Sequence, residues 1–310
     1  MAICMATYNG EKYVEEQIDS IGAQSYSDWV LFIRDDNSSD ETVRIIRRCI
    51  EKYQDKIVLI EDKKLQGGSS KKNFAGILNW VDQNCKFRYF MFSDQDDYWL
   101  PTKVETSIKM VKRLEADYDG PVLVHTDLKV VDQNLQILGE SFVKYRALNP
   151  AIKDINHLLV QNNITGCTMC WNEKLNRIIN LSDDNVAMHD WWMALVAACF
   201  GKIEFISEPT ILYRQHGNNV VGATNVNSFS FIIQRLTGHV HVRETLDMSM
   251  NQAEAFSEYY KKQLSNEQLT TVQKFASLKS EHKLSKIVTI LRKKYLKQGI
   301  VQVIGELMFI

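Results

Sequence analysis

Three aspartates within four positions, Asp94, Asp96 and Asp97, directly follow the apolar run Tyr89–Phe92. The apolar run predicts a short buried strand, and carboxylates crowded at its end repel one another unless a cation or hydrogen bonds compensate them. Hard divalent cations prefer carboxylate oxygens, and Mg²⁺ is usually held by one or two carboxylates together with substrate phosphates. We therefore expect this cluster to bind a metal–diphosphate. The alternative is a polar turn before a helix that begins near Pro101.

Other polar clusters also follow predicted strands. The predicted strands in this part of the chain are Ala2–Ala6, Trp29–Ile33, Ile57–Ile60 and Tyr89–Phe92. The polar clusters that follow them are Thr7–Gly10, Asp35–Asp40, Gln66–Asn73 and Asp94–Asp97. Segments with helical spacing separate the strands, which predicts βαβ units and a parallel sheet with helices on both faces. Ligands of such sheets bind at the carboxyl ends of the strands, so the clusters predict one site.

Two common phosphate-binding motifs are missing from this part of the sequence. The first strand is followed by neither a GxGxxG sequence nor a lysine-containing phosphate loop, which argues against a dinucleotide or P-loop site. Ser38 and Glu41 have the spacing of a capping box, so part of the second cluster is expected to start the next helix.

The pattern becomes antiparallel in the second part of the chain. A helix is predicted over Pro101–Tyr118, and a strand at Val122–His125 leads into a hairpin around Asp132–Asn134. Further strands are predicted at Ile164–Trp171, Ile203–Ile206 and Thr210–Tyr213.

Asp190 stands at the start of an apolar helix that continues through Cys199. Aspartate is a favoured N-cap residue. A carboxylate at a helix start is also stabilised by the helix dipole, so it stays ionised and can act as a base. A polar loop, Arg214–Asn219, follows the last strand, and its arginine is suited to pair with a phosphate.

The composition is that of a globular protein of one or two domains, with 45% apolar and 24% charged residues among 310. A formal net charge of −1 argues against nucleic acid as the main partner. The six cysteines are scattered, which predicts reduced thiols in a cytoplasmic protein, and the CxxC pair Cys167 and Cys170 lacks the second pair of a metal site. We expect no signal peptide, and no apolar run approaches the ~20 residues of a membrane span.

Taken in order, these clusters resemble the family-2 inverting glycosyltransferases with a GT-A fold, and within them the bacterial rhamnosyltransferases of cell-surface polysaccharide assembly. The motifs cover roughly the first two-thirds of the chain. They are Met5–Glu11 (MATYNGE), Arg34–Asp40 (RDDNSSD), Lys72–Asn73, Phe92–Trp99 (FSDQDDYW), Met188–Trp192 (MHDWW) and Tyr213–His216 (YRQH). Each motif is weak alone, but the ordered set is specific.

The resemblance implies a role for each matching residue. Asp190 would be the general base, and Asp96 with His216 would hold Mg²⁺ or Mn²⁺. Tyr8 would lie against the pyrimidine ring and Asp36 would accept a hydrogen bond from the base. The nucleotide-sugar contacts implied by the resemblance are Thr7, Tyr8, Asn9, Glu11, Asp36, Lys72, Asn73, Asp94, Gln95 and Arg214.

The sequence departs from the family at one motif. Asn-Phe-Ala follows Lys72, where many members have Arg-Asn-x-Gly, which puts the sugar contacts of that loop in doubt. The Gln-x-x-Arg-Trp motif of processive synthases is absent, which favours the addition of a single sugar.

The fold and domains expected are an α/β GT-A mixed sheet followed by a C-terminal helical region. Residues 1–224 would form the catalytic domain, with a nucleotide-binding half to about residue 100 and an acceptor half after it, and residues 225–310 the helical region. The C-terminal segment is basic and has the apolar residues Ile300, Val303, Ile304 and Leu307 at helical spacing, which predicts a helix. It suits peripheral contact with the inner face of the cell membrane or self-association, and packing against the catalytic domain is the simpler alternative.

The expected partners are a dTDP- or UDP-linked sugar donor, with rhamnose favoured, and a glycan, lipid-linked or glycoprotein acceptor. A UDP-hexose donor is the nearest alternative. A sugar-1-phosphate nucleotidyltransferase would need a basic glycine-rich loop after the first strand, and a glycoside hydrolase would not explain the metal-like cluster. A catalytically silent sugar-nucleotide-binding subunit is the alternative from another class.

Overall fold

The computed structural model describes residues 1–61, 67–216 and 239–310, with side chains in the last range from Val242 onward. The described residues form two units. Unit 1 comprises those of Met1–Phe142, Thr165–Ser182 and Phe200–Gly222, and unit 2 comprises those of Val143–Ile164, Asp183–Cys199 and Ala223–Ile310. Several predicted features lie outside the described residues. They are Gln66, the end of the polar loop after His216, the domain boundary between residues 224 and 225, and the start of the predicted helical region. That boundary stays a prediction.

Unit 1 is built on one mixed sheet. Its described strands are β1 (Ala2–Thr7), β2 (Val30–Asp35), β3 (Ile57–Leu59), β4 (Tyr89–Ser93), β5 (Tyr98–Trp99), β6 (Val122–Val131), β7 (Ile137–Gly139), β8 (Met169–Asn172) and β9 (Lys202–Arg214). Their order is β3-β2-β1-β4-β8-β6-β9-β5, and β7 pairs with β6. The first four pair in parallel, whereas β8 pairs antiparallel with both β4 and β6. The carboxyl ends of β1, β2 and β4 therefore meet at one edge.

The described helices, in chain order, are α1 (Val14–Gly22), α2 (Thr42–Tyr53), α3 (Ser70–Asn84), α4 (Lys103–Asp117), α5 (Phe142–Tyr145), α6 (Ile155–Val160), α7 (Glu173–Asn176), α8 (His189–Phe200), α9 (His239–Tyr259), α10 (Asn266–Ser277), α11 (Lys283–Lys293) and α12 (Ile300–Phe309). In unit 1, α3 packs on β1 and β2, and α4 packs on β6, β8 and β9. Ser69 caps α3, because its side chain accepts a hydrogen bond from Lys72 N.

Unit 2 is helical among its described residues. α9 packs against α6, α10 and α12. The ring of Trp192 in α8 lies 5.2 Å from that of Phe256 and 6.1 Å from that of Tyr260. No helix in the part of the chain that the structure describes is long and apolar enough to cross a membrane.

The predicted parallel sheet, its antiparallel extension and the C-terminal helices are confirmed, but four local predictions are wrong. The strand predicted from Ile164 begins only at Met169, because Gly166–Thr168 form a 3₁₀ turn in which Thr168 Oγ1 donates to the Thr165 carbonyl (2.6 Å). The two strands predicted at Ile203–Ile206 and Thr210–Tyr213 are one strand, β9. Its Pro209 lies where the register with β6 shifts, at an irregularity that accommodates a residue without a backbone N–H.

The third and fourth wrong predictions concern the starts of two helices, α2 and α8. The capping box of Ser38 and Glu41 does not form, because Ser38 Oγ donates to Asp35 Oδ1 (2.6 Å) and α2 begins at Thr42. Asp190 lies within the first turn of α8 rather than at its N-cap.

Candidate functional site

The loops after β1 and β2 are bound to each other. Thr7 Oγ1 donates to Asp35 Oδ1 (2.9 Å), and the same carboxylate accepts hydrogen bonds from the backbone N–H and hydroxyl of Ser38. Asn9 Oδ1 accepts from Ser39 N (2.9 Å), and Glu11 Oε2 accepts from Glu41 N (3.0 Å). These side chains therefore fix the shape of the edge, a role that the sequence did not reveal for Asp35.

The loops after β1 and β4 are joined by a reciprocal pair of hydrogen bonds. Tyr8 N donates to Gln95 Oε1 and Gln95 Nε2 donates to Tyr8 O, both at 2.9 Å. A Cβ atom on Gly10 would lie 2.3 Å from Gln95 Oε1, so a side chain at this position would displace Gln95 from the pair. The side chain of Tyr8 itself is 58% exposed, which leaves its ring accessible to a planar ligand.

The loop after β3 holds the side chains of the loop after β2 in place. Asp36 Oδ2 accepts from Gly68 N (2.7 Å), and Arg34 lies 3.8 Å from the other carboxylate oxygen. Arg34 also donates to Asn73 Oδ1 (2.7 Å), and the amide of Asn73 donates to the carbonyl of Arg34 (3.1 Å). Asn73 is buried. Its side chain is thus part of the support of these loops, while Lys72 beside it is exposed.

Asp96 and His216, which the resemblance pairs as metal ligands, lie together. His216 Nε2 is 2.7 Å from Asp96 Oδ2, and the two side chains are 14% and 15% exposed. Two ligands of one octahedral Mg²⁺ at about 2.1 Å would be roughly 3 Å apart, so this pair is close to the spacing that a shared divalent ion requires. The metal could take the place of the proton that now joins them. The donor set therefore fits a divalent cation.

Arg214 is fixed by the protein around it. Its guanidinium donates to the carbonyls of Asp96 (2.8 Å) and Gln133 (2.7 Å) and pairs with the carboxylate of Glu16. It also lies over the ring of Tyr13, 4.5 Å from the centroid. The side chain is buried. This geometry favours a role in holding the loop that contains Asp96 rather than the contact with the diphosphate that the resemblance implies.

A second group of ligand-type atoms adjoins the first. One such atom each from Asp94, Asp97 and Cys167 lies within 4.8 Å of the others. Burial, and then the charges of Asp94 and Asp96, raise the pKa of Asp97 well above its usual value. Burial, and then Asp97, likewise raise the pKa of the Cys167 thiol. A neutral thiol is a poor ligand for Mg²⁺, so Asp96 with His216 is the better metal position.

Cys167 and Lys103 are two further residues near Asp97 whose positions could not be predicted from the sequence. Cys167 reaches Asp97 because β8 pairs with β4, and nothing in the sequence fixes that pairing. Lys103 is fully buried, with its Nζ 4.6 Å from the centroid of the Trp99 ring. Burial lowers the pKa of Lys103 to about 8. In the sequence, its position two residues after Pro101, at the start of a predicted helix, was the only indication of a special role for Lys103.

Asp190 lies in unit 2 and is half-buried. Its Oδ1 accepts a hydrogen bond from Trp191 N (2.6 Å). The neighbouring His189 is buried, and burial lowers its pKa to about 3, so its imidazole is neutral at physiological pH. The role of Asp190 as the base stays a prediction.

Comparison with known proteins identifies the family. The glycosyl transferase family 2 model matches residues 2–179, more than half of the chain. The chain belongs to glycosyl transferase family 2, and it is a glycosyltransferase with a GT-A fold, as predicted.

Individual relatives carry more specific names. The chain is 31% identical over 230 residues to the dTDP-rhamnosyl transferase RfbG of Shigella flexneri, across 71% of this chain and 74% of that protein. It is 32% identical over 111 residues to the UDP-Glc:alpha-D-GlcNAc-diphosphoundecaprenol beta-1,3-glucosyltransferase WfgD of Escherichia coli, across 36% of this chain and 40% of that enzyme.

Among solved structures, residues 1–349 of S. aureus TarS align with a TM-score of 0.52 and 16% identity, over 99% of this chain and 89% of that one. This likeness supports the fold alone.

Proposed function

We propose that the protein transfers one sugar, with inversion, from a dTDP- or UDP-sugar to an acceptor hydroxyl in the assembly of a bacterial cell-surface glycan. Rhamnose from a dTDP donor is favoured. The observation that carries the proposal is the placement of Asp96 against His216, next to the paired loops that present Tyr8. The similarity to a dTDP-rhamnosyl transferase over most of both chains supports the choice of donor.

The donor would occupy the edge formed by the ends of β1, β2 and β4. Tyr8 would stack on the pyrimidine, since its side chain is exposed at this edge. Asp36 is held in place by Gly68 and Arg34 and would accept the base N–H that thymine and uracil share. Asp94 and the exposed Lys72 would contact the ribose and diphosphate. Gln95, whose amide is paired with the backbone of Tyr8, would shape the loops around the donor together with Thr7, Asn9, Glu11 and Asn73.

A divalent cation, Mg²⁺ or Mn²⁺, would be held by Asp96 with His216 and would neutralise the charge that develops on the departing diphosphate. The proposal assigns the proton transfer to Asp190. Its carboxylate takes the proton of the acceptor O–H as that oxygen forms a bond to the anomeric carbon, and the bond from this carbon to the diphosphate breaks with its electron pair. A single displacement from the opposite face inverts the anomeric carbon. The start of α8 favours the ionised carboxylate that this step needs.

A UDP-hexose donor is the second candidate, and the partial similarity to a UDP-Glc-dependent glucosyltransferase is the observation that favours it. Both candidates place the protein in the cytoplasm, where nucleotide sugars are made, with a glycan, lipid-linked or glycoprotein acceptor and no nucleic acid.

The test is thermal stabilisation by dTDP and UDP, each with and without Mn²⁺, because a ligand that binds the folded state raises the apparent melting temperature by mass action. We expect a metal-dependent rise, larger with dTDP, followed by turnover of a dTDP-sugar. A larger rise with UDP would replace rhamnose with a hexose. Binding of either nucleotide without any transfer to isolated cell-surface glycan would indicate a silent binding subunit, and no rise with either would overturn the donor site.

A further inference from the structure

The last helix of unit 2, α12, has its polar and apolar faces inverted. Gln302 and Glu306 are buried, Glu306 completely, whereas Ile300 is 82% exposed and Ile304 and Met308 are exposed as well. The three exposed residues recur at i, i+4 and i+8 and so form one stripe. A helix on the surface of a globular protein normally buries its apolar face and exposes its polar face. The orientation of α12 thus leaves an apolar stripe facing outward.

Hydrogen bonds hold α12 in this orientation. Lys297 N, in the segment before the helix, donates to Glu306 Oε2 (2.9 Å) at a buried position. Tyr295 in the same segment is buried, and its hydroxyl donates to the carbonyl of Thr271 in α10 (2.7 Å). Rotating α12 to bury Ile300 would break the first bond and expose Glu306. The hydrogen bonds of unit 2 therefore keep this apolar stripe facing outward.

The preceding helix, α11, presents a second stripe. Leu284 is 80% exposed, and Val288 and Leu291 are also exposed at i, i+4 and i+7. Lys283 at the start of α11 donates to the carbonyl of Met308 near the end of α12 (2.5 Å), so the start of one stripe lies near the end of the other. We call the residues of both stripes the apolar patch. They are Leu284, Val288, Leu291, Ile300, Ile304 and Met308.

Positive charge accompanies the apolar patch. Lys286, Arg292, Lys293 and Lys294 belong to α11 or follow it directly, and none of them forms an ion pair with another described residue. The carboxylates nearest in sequence are engaged elsewhere, because Glu281 pairs with Lys274 and Glu306 is buried. In a chain of net charge −1, this is a local concentration of cations along the sequence of α11, with Arg292 and Lys293 directly after Leu291 of the stripe.

We propose that the apolar patch and its basic residues bind the surface of an anionic lipid bilayer. Aliphatic side chains would enter the acyl boundary while the lysines and arginine, on long flexible stems, reach the anionic headgroups. A second copy of the chain fits less well, because a twofold contact through this patch would bring the two sets of basic residues together. The inference does not depend on which donor the enzyme uses.

The experiment is co-sedimentation of the full chain with vesicles of phosphatidylglycerol and phosphatidylcholine in equal parts, and with vesicles of phosphatidylcholine alone. We expect binding to the anionic vesicles, at least tenfold weaker binding to the neutral ones, and loss of binding in high salt. The double variant Leu284→Ser with Ile300→Ser should lower the affinity at least tenfold, since both side chains are exposed and their loss should not disturb folding. Arg292→Gln with Lys293→Gln should lower it for anionic vesicles only.

Matched controls lie in the same unit. Met248→Ser replaces an exposed apolar residue of α9, and Lys261→Gln with Lys262→Gln replaces two exposed adjacent lysines that follow it, so both should bind like the unaltered protein. Equal binding to both vesicle types, or patch variants that bind normally, would overturn the proposal. A dimer in light scattering that the patch variants convert to monomer, without vesicle binding, would assign the patch to a second copy instead. Donor stabilisation should be unchanged in every variant, which separates a failure here from a failure of the proposed function.

Discussion

Both units bury a carboxylate, Asp97 in unit 1 and Glu306 in unit 2, but their surroundings differ. Asp97 lies among other acids, and burial beside Asp94 and Asp96 raises its pKa. Both carboxylates accept a backbone N–H, from Arg214 to Asp97 (3.4 Å) and from Lys297 to Glu306 (2.9 Å), and the shorter bond fixes the orientation of a helix. What distinguishes Asp97 is its acidic neighbours, because a buried acid among like charges indicates a site that a cation or substrate completes. We therefore expect the surroundings of Asp97 to take part in catalysis and Glu306 to have a structural role.

The largest expected effect is that of Asp190→Asn. Loss of a general base costs about 10²–10⁴ in rate, and we expect it in kcat. Stabilisation by the donor nucleotide and Mn²⁺ should stay unchanged, because the residue is assigned no contact with either. Steady-state kinetics would be compared with Asp247→Asn, which changes an exposed aspartate of α9. Near-full turnover by Asp190→Asn would remove the base assignment.

Asp96→Asn should be the next largest. It removes the charge that would hold the metal, and loss of one preorganised electrostatic contact costs about 10²–10³ in kcat. Unlike the previous variant, it should also abolish the Mn²⁺-dependent part of nucleotide stabilisation, while vesicle binding stays normal. Asp117→Asn, at the exposed end of α4, is the control. Unchanged metal dependence would move the metal away from Asp96.

Glu306→Ala should act on stability and leave the chemistry of unit 1 intact. It deprives the buried Lys297 N–H of its acceptor, which costs about 1–3 kcal/mol of unfolding free energy. Chemical denaturation would measure the loss, and Glu258→Ala, an exposed position of α9, should show almost none. Donor binding should persist below the lowered melting temperature. If Glu306→Ala were as stable as the unaltered protein, the buried carboxylate would not fix the helix.

The smallest effect is expected for Lys103→Met, and it depends on pH. Burial lowers the pKa of Lys103 to about 8 in the folded protein, well below that of an unfolded lysine. Between these two pKa values the unfolded chain binds the extra proton, so the unaltered protein gains stability relative to the variant as pH rises. From about pH 7 to pH 9 the difference in unfolding free energy between the unaltered protein and the variant should change by about 1 kcal/mol. Denaturation curves at the two pH values would measure it.

The control for this prediction is Lys112→Met, an exposed lysine of the same helix, whose stability difference should not depend on pH in this range. A stability difference for Lys103→Met that stays flat with pH would show that burial does not lower the pKa of this amine.

The sequence allowed the polar edge of unit 1 to be predicted, because parallel strands must place their carboxyl ends together. The clusters after β1, β2 and β4 were located this way, and the partnership of Asp96 with His216 followed from the family resemblance. The contact of Asp97 with Cys167 was not predictable, since it depends on an antiparallel pairing between strands far apart in the sequence. The same holds for Arg214, whose charge suggested a phosphate but whose partners are Glu16 and two carbonyls.

In unit 2 the periodicity of Ile300, Val303, Ile304 and Leu307 correctly predicted a helix. It did not show which face is exposed, because apolar periodicity normally marks the buried face. The outcome depends on the hydrogen bond between Lys297 and Glu306, a contact whose geometry arises only in the folded chain.

The reciprocal pair between Tyr8 and Gln95 has a consequence for ligand recognition. The backbone pairing of β1 with β4 ends at Met5 and Ser93, and beyond it the amide side chain of Gln95 imitates one further rung of the ladder. The stacking surface and the acidic cluster therefore belong to one preorganised body. A donor that binds there would not need to order these loops itself, so little of its binding energy would be lost to conformational entropy, and more would remain to discriminate one nucleotide from another.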